Sequence, residues 1–85
     1  MEKTKRKFGA HVPIYNFFPN DISFIRRNIL KISQPLFAGL LGVSKQTINS
    51  WECGWRTPSP MATRLLHFVK SYPELVLKEI KRKEQ

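Results

Sequence analysis

The 85 residues hold one cysteine, two histidines and six acidic side chains, and each scarcity removes a class of function. Cys53 has no partner for an internal disulfide, so the chain fits a reducing cytoplasm and must be held by packing. His11 and His67 with that lone thiol make no ligand set for zinc. The acids are scattered, no Ser/His/Asp or Cys/His set is evident, and Cys53 has no base placed for it, so neither catalysis nor a cofactor is expected. No apolar run approaches the roughly 18 residues of a membrane span, and the start lacks the apolar stretch and small-residue cleavage site of a signal peptide. A chain neither anchored nor exported is expected. No internal repeat or low-complexity stretch is visible.

What the chain has in excess is positive charge. Lys and Arg number 15 against 6 Asp and Glu, giving +9 and a pI near 10.2, which makes phosphate, and so nucleic acid, the first partner to consider. Many small basic proteins are simply soluble, so charge alone does not decide this. The length suits one small domain that buries only about 60% of its extended surface.

The stretch Ser33 to Glu52, SQPLFAGLLGVSKQTINSWE, organises the rest. Its apolar residues Leu36, Phe37, Leu40 and Leu41, then Val43, Ile48 and Trp51, keep helical spacing on either side of Gly42. Two short helices joined by a tight turn are predicted. Ser33 can cap the first, with Pro35 in its first turn, and Gly42 can close it in the left-handed conformation. Val43 then points inward and Ser44 caps the second helix, Lys45 to Cys53. Ala38 is small where the two helices would cross. That pattern is a helix-turn-helix, over 33–53.

These residues carry a resemblance to a known family. SQPLFAGLLGVSKQTINSWECGWRTPS resembles the helix-turn-helix of the XRE group, the family of lambda-type repressors and Cro, and especially its HigA-like antitoxin branch. The likeness lies in Ser33 to Ala38, in LLGVS at Leu40 to Ser44, in the Trp51-Glu52 pair, and in Gly54, Arg56, Pro58 and Ser59. It covers roughly Asp21 to Pro73, and the flanks match less well. It implies an all-α, five-helix lambda-repressor-like DNA-binding domain over 20–85, preceded by a basic and aromatic N-terminal arm, partly disordered, over 1–19. It also implies an ion pair between Glu52 and an Arg of the first helix. Arg26 and Arg27 both lie near the matching position, because that helix is one residue longer than in many relatives.

In the arm, Lys3, Lys5, Arg6 and Lys7 read as a solvated tail or as an arm touching DNA. Ile14, Tyr15, Phe17 and Phe18 are expected to fold back over the core; the alternative is a docking surface for a protein partner such as a toxin. Asn20 or Asp21 can cap a first helix running from Ile22 to about Lys31, with Ile22, Ile25, Ile29 and Ile32 inward. Gly54 ends the second helix of the motif, and Trp55 after it suits packing or a backbone contact equally. Ser59 caps and Pro60 starts a fourth helix whose apolar face is Met61, Ala62, Leu65, Leu66, Phe68 and Val69, leaving His67 on the surface without a role. Tyr72 and Pro73 break that helix. Ser71 with Glu74 suggests a capping box for a last helix through about Arg82, which carries Leu75, Val76, Leu77 and Ile80 and is the candidate dimer interface.

In a helix-turn-helix the second helix enters the major groove. With Ile48 and Trp51 turned to the core, Lys45, Gln46, Asn49 and Ser50 face outward as base readers: Lys suits guanine O6 and N7, and Gln or Asn suits adenine N6 and N7. An ordinary polar helix surface is the plain alternative. Thr47 sits at the shoulder as a backbone contact, and the resemblance adds Gln34, Ser44 and Arg56 in that role. One unit reads few base pairs, so a homodimer on a palindromic operator in double-stranded DNA, with half-sites roughly 34 Å apart, is expected. The resulting expectation is a transcriptional repressor, most like an autorepressing antitoxin with a toxin partner, cytoplasmic and held at the nucleoid by DNA. A phage Cro-like repressor and an interaction scaffold without DNA reading are the alternatives.

Overall fold

The computed structural model describes residues 15–84, with side chains described as far as Lys81. The run from Lys3 to Lys7 and Ile14 lie outside the described residues. Among the described residues the chain is all-helical, with five helices and no strand.

The first helix departs from expectation at its start and in its second half, while its end near Lys31 is as expected. It begins at Pro19, not Ile22: α1 spans Pro19–Phe24, with Pro19 in the first turn, where its missing N–H costs nothing. Phe18 stands at the cap. Asp21 lies inside the first turn and accepts a hydrogen bond from the Phe18 N–H at 3.0 Å, so it supports the cap from within. The helix then widens into a π-helical turn, Ile25–Leu30, and stops at Lys31, a non-glycine residue in the left-handed conformation at φ 57°. The N–H groups of Lys31 and Ile32 both return to the Arg26 carbonyl. A π-turn absorbs one additional residue without breaking the helix. The inward residues shift with it: Ile22, Ile25 and Leu30 are buried, whereas Ile29 and Ile32 are only partly so.

The next two helices follow the sequence closely. α2 is Gln34–Leu41 and α3 is Lys45–Cys53. Ser33 and Ser44 are their N-caps, accepting from the N–H groups of Leu36 (3.3 Å) and Thr47 (3.1 Å). Gly42 is left-handed at φ 75°, and Val43 N–H returns to the Ala38 carbonyl at 3.0 Å, closing α2 in a Schellman turn. Phe37, Ala38, Ile48 and Trp51 are buried where α2 and α3 meet, and α3 also packs on α1.

α4 is Pro60–Ser71 and α5 is Pro73–Glu84. Ser59 caps α4 by accepting from Ala62 N–H at 3.2 Å. Ser71 is the last residue of α4, so the expected Ser71–Glu74 capping box does not form as such. Pro73 opens α5, with Glu74 in its first turn. Of the expected α4 face only Leu66 and Val69 are buried and Ala62 partly so; Thr63 joins them, its hydroxyl donating to the Pro58 carbonyl at 3.4 Å. Met61, Leu65 and Phe68 remain exposed. His67 is not an idle surface residue: its ring meets the Phe17 ring with centroids 4.5 Å apart, and Nε2 lies 2.7 Å from the Tyr15 carbonyl, donating to it. Phe17 therefore does fold back on the core, while Tyr15 and Phe18 stay exposed.

Candidate nucleic-acid interface

The foundation of the site is a buried ion pair. Arg26 on the π-turn meets Glu52 of α3 in a two-pronged contact, Nε to Oε2 at 2.6 Å and a terminal guanidinium nitrogen to Oε1 at 3.0 Å. Both side chains are below 10% exposed, at 9% and 7%. Arg26 also donates to the Ile32 carbonyl at 3.0 Å, which ties the irregular end of the first helix to α3. Arg27 faces solvent, so of the two candidate arginines Arg26 is the partner. Burial pushes the Glu52 carboxyl upward, but hydrogen bonds from Arg26 and Gln34, with the charges of Arg26 and Arg27, outweigh it and hold the group below its ordinary value. Glu52 is thus a charged anchor for α3.

Above this anchor, α3 and the loop after it form a concavity of about 430 Å³ lined by Ser44, Gln46, Thr47, Asn49, Ser50, Trp55 and Arg56. No lining residue is acidic, so no carboxylate there would repel phosphate. The shape follows from a second Schellman turn. Gly54 is left-handed at φ 81°, and the N–H groups of Trp55 and Arg56 return to the Ser50 carbonyl at 2.9 and 3.3 Å. The loop is thereby held against the last turn of α3, with Arg56 on the same wall as Ser50.

Six of the eight residues expected from sequence share this concavity: Gln46, Asn49, Ser50, Ser44, Thr47 and Arg56. Lys45 is exposed at the start of α3, next in the chain to two of them. The Ser44 and Thr47 hydroxyls lie 2.9 Å apart in a shared hydrogen bond. Gln34 lies apart, half-buried, with its amide donating to Glu52 at 3.0 Å and to Asn49 at 3.4 Å. Trp55, which sequence alone left between packing and contact, is 73% exposed and lines the concavity. The usable signal was the glycine before it, since a Schellman turn at Gly54 sends the following backbone to Ser50.

Among the described residues, no group of three or more His, Cys, Asp or Glu could hold a metal ion, and no helix is long and apolar enough to cross a membrane.

Two capped helices joined through a left-handed glycine, the second presenting an acid-free polar face, define an all-α, helix-turn-helix-like domain. The chain is 37% identical over 59 residues to Antitoxin HigA-2 of Vibrio cholerae serotype O1, across 69% of this chain and 56% of that protein. It thus spans little more than half the length of the curated relative it matches. No family model matches the chain.

Proposed function

We propose that this chain is a sequence-specific DNA-binding transcription regulator of the XRE type, working as the antitoxin of a toxin–antitoxin pair and repressing its own promoter. The observation that carries the DNA-binding half is the acid-free concavity on α3 in a chain of net charge +9. α3 lies in the major groove, where Lys45, Gln46, Asn49 and Ser50 meet base edges. Ser44, Thr47, Arg56 and Gln34 serve the phosphate side, the first three from the rim of the concavity and Gln34 through its backbone N–H at the start of α2. Trp55 adds an indole N–H donor beside Arg56. The protein acts by binding, without catalysis, in the cytoplasm at the nucleoid.

The antitoxin half is supported by the similarity to Antitoxin HigA-2. The segment that precedes α1 serves as the arm for the toxin partner, and the helices from Pro19 onward as the DNA-binding domain. The exposed Tyr15 and Phe18 rings, beside a Phe17 anchored on His67, supply aromatic surface at the junction. Two copies bind a palindromic operator. The apolar surface of Met61, Leu65 and Phe68 on α4, continued by Leu75 on α5, supplies the self-association face.

A randomised duplex library incubated with the protein, with the retained fraction sequenced, tests this reading. An enriched palindrome with half-sites about one turn apart is expected. Gln46→Ala should relax the preference at one base step, and Arg56→Ala should weaken all sequences alike and flatten the salt dependence. Retention without enrichment, or the reverse behaviour of the two variants, would overturn it.

A further inference from the structure

The hydrogen bonds beneath α3 fix which end of the Asn49 carboxamide faces the concavity. Glu52, ionised against Arg26, can only accept. The group 3.0 Å from its Oε1 on Gln34 must therefore be the NH2, which leaves that nitrogen one further proton. The second proton lies toward Asn49, and the atom that receives it at 3.4 Å is Oδ1. On the same oxygen the Cys53 thiol donates at 3.8 Å, so both acceptor positions of Oδ1 are occupied from the protein side. Turning the carboxamide over would set its NH2 against the Gln34 NH2, donor to donor. Its Nδ2 therefore carries the unoccupied hydrogen-bonding capacity.

The geometry points to Gln34 as a positioning residue that makes Asn49 a donor-only reader, selecting guanine and rejecting adenine at the base step it meets. This inference rests on α3 lying in the major groove. Adenine recognition by Asn needs a free oxygen for the N6 amino group as well as an NH2 for N7. Here the oxygen is engaged, and Nδ2 would confront the adenine amino group donor to donor. Guanine presents two acceptors, O6 and N7, which an outward NH2 can satisfy. Of its neighbours, Lys45, Arg56 and the Trp55 indole are donors only, whereas Gln46, Ser50 and Thr47 can also accept. Chain by chain, the order runs from the Arg26 charge through Glu52 and Gln34 to Asn49, so a buried ion pair sets the polarity of an exposed base reader.

The test compares library selections for the wild-type full chain, Asn49→Ala and Gln34→Met. Asn49→Ala marks the step that Asn49 meets, because the preference there flattens. At that step the wild type is expected to favour guanine over adenine by about tenfold, within the roughly 5- to 150-fold range of a good bidentate contact. Gln34→Met, which keeps the length of the side chain and removes the donors, should raise adenine to within about twofold of guanine at that step alone. Adenine at the marked step in the wild type, or an unchanged preference in Gln34→Met, would overturn the inference while leaving DNA reading intact. Loss of all enrichment would instead overturn the DNA-reading proposal. The orientation of Asn49 is then still decided on the free wild-type chain by side-chain amide NMR. Rapid water exchange of the Asn49 NH2 with protection of the Gln34 NH2 is expected, and a protected Asn49 NH2 overturns it. That measurement also serves if Gln34→Met does not fold.

Discussion

The α2–α3 half and the α4–α5 half of this domain use opposite means to join two helices. α2 and α3 are closed by polar and backbone devices at each end: Ser33 and Ser44 as caps, Gly42 and Gly54 as left-handed stops, and the Arg26–Glu52 pair beneath. α4 and α5 are separated by Tyr72 and Pro73, where the backbone turns without a glycine, and they leave apolar side chains in solvent, with Met61 at 83% and Phe68 at 54% exposure. The difference teaches that the α3 face is fixed within one chain. The α4–α5 face presents surface that a second molecule could still cover.

The contrast is broken most severely at the ion pair. Arg26→Ala leaves the Glu52 carboxylate buried without its partner, and should cost about 3–5 kcal/mol in chemical denaturation. An effect below about 1 kcal/mol would mean that water enters and the pair holds little. Acid should sharpen the same point. The Glu52 pKa is lowered by folding, so its contribution is complete above the ordinary glutamate value of about 4.3 and is lost as the pH falls through the lower folded value. The wild type should therefore lose stability below pH about 4 more steeply than Glu52→Gln, and parallel curves would contradict this assignment.

Smaller effects separate the caps. Ser44→Ala removes the oxygen that accepts the Thr47 N–H, and should lower stability by about 1 kcal/mol. Lys31→Gly should raise the thermal midpoint, because a lysine at φ 57° bears a left-handed penalty of about 1–2 kcal/mol that glycine escapes. Glycine's greater freedom when unfolded offsets part of this, leaving a net gain of about 0.5–1 kcal/mol. A fall in the midpoint would imply that the Lys31 side chain itself is holding the end of the π-turn. At the other half, Phe68→Ser should change monomer stability by no more than about 0.5 kcal/mol, since its ring is already exposed. Its consequence should appear in sedimentation as weaker self-association. Unchanged sedimentation would remove Phe68 from that surface.

Much of the candidate site could be read from the chain because its determinants are local. A serine before a helix and a glycine after it act within four residues, so the limits of α3 and the outward set Lys45, Gln46, Asn49 and Ser50 follow from spacing and the burial of Ile48 and Trp51. The π-turn was less accessible. Choosing between Arg26 and Arg27 depends on how one additional residue is accommodated, and that depends on which isoleucines reach the core rather than on period alone. The α4 stripe misled for a related reason: helical spacing marks one apolar face, but only the neighbouring helices decide which part of it is covered. His67 gave no sign of its contact with Tyr15 and Phe17, which are some fifty positions away.

By itself, then, the sequence determined the helices, the serine caps of α2, α3 and α4, the glycine stops of α2 and α3, the basic balance and the residues on the outer face of α3, all of which depend on neighbours within a turn or two. The tertiary structure alone decided that Arg26 pairs with Glu52, that Gln34 is turned inward to Glu52 and Asn49, that Trp55 lines the concavity, and that half of the α4 stripe stays in solvent. Those outcomes depend on which groups from separate helices meet in three dimensions. A buried charge or amide takes whichever partner the packing brings within hydrogen-bond reach.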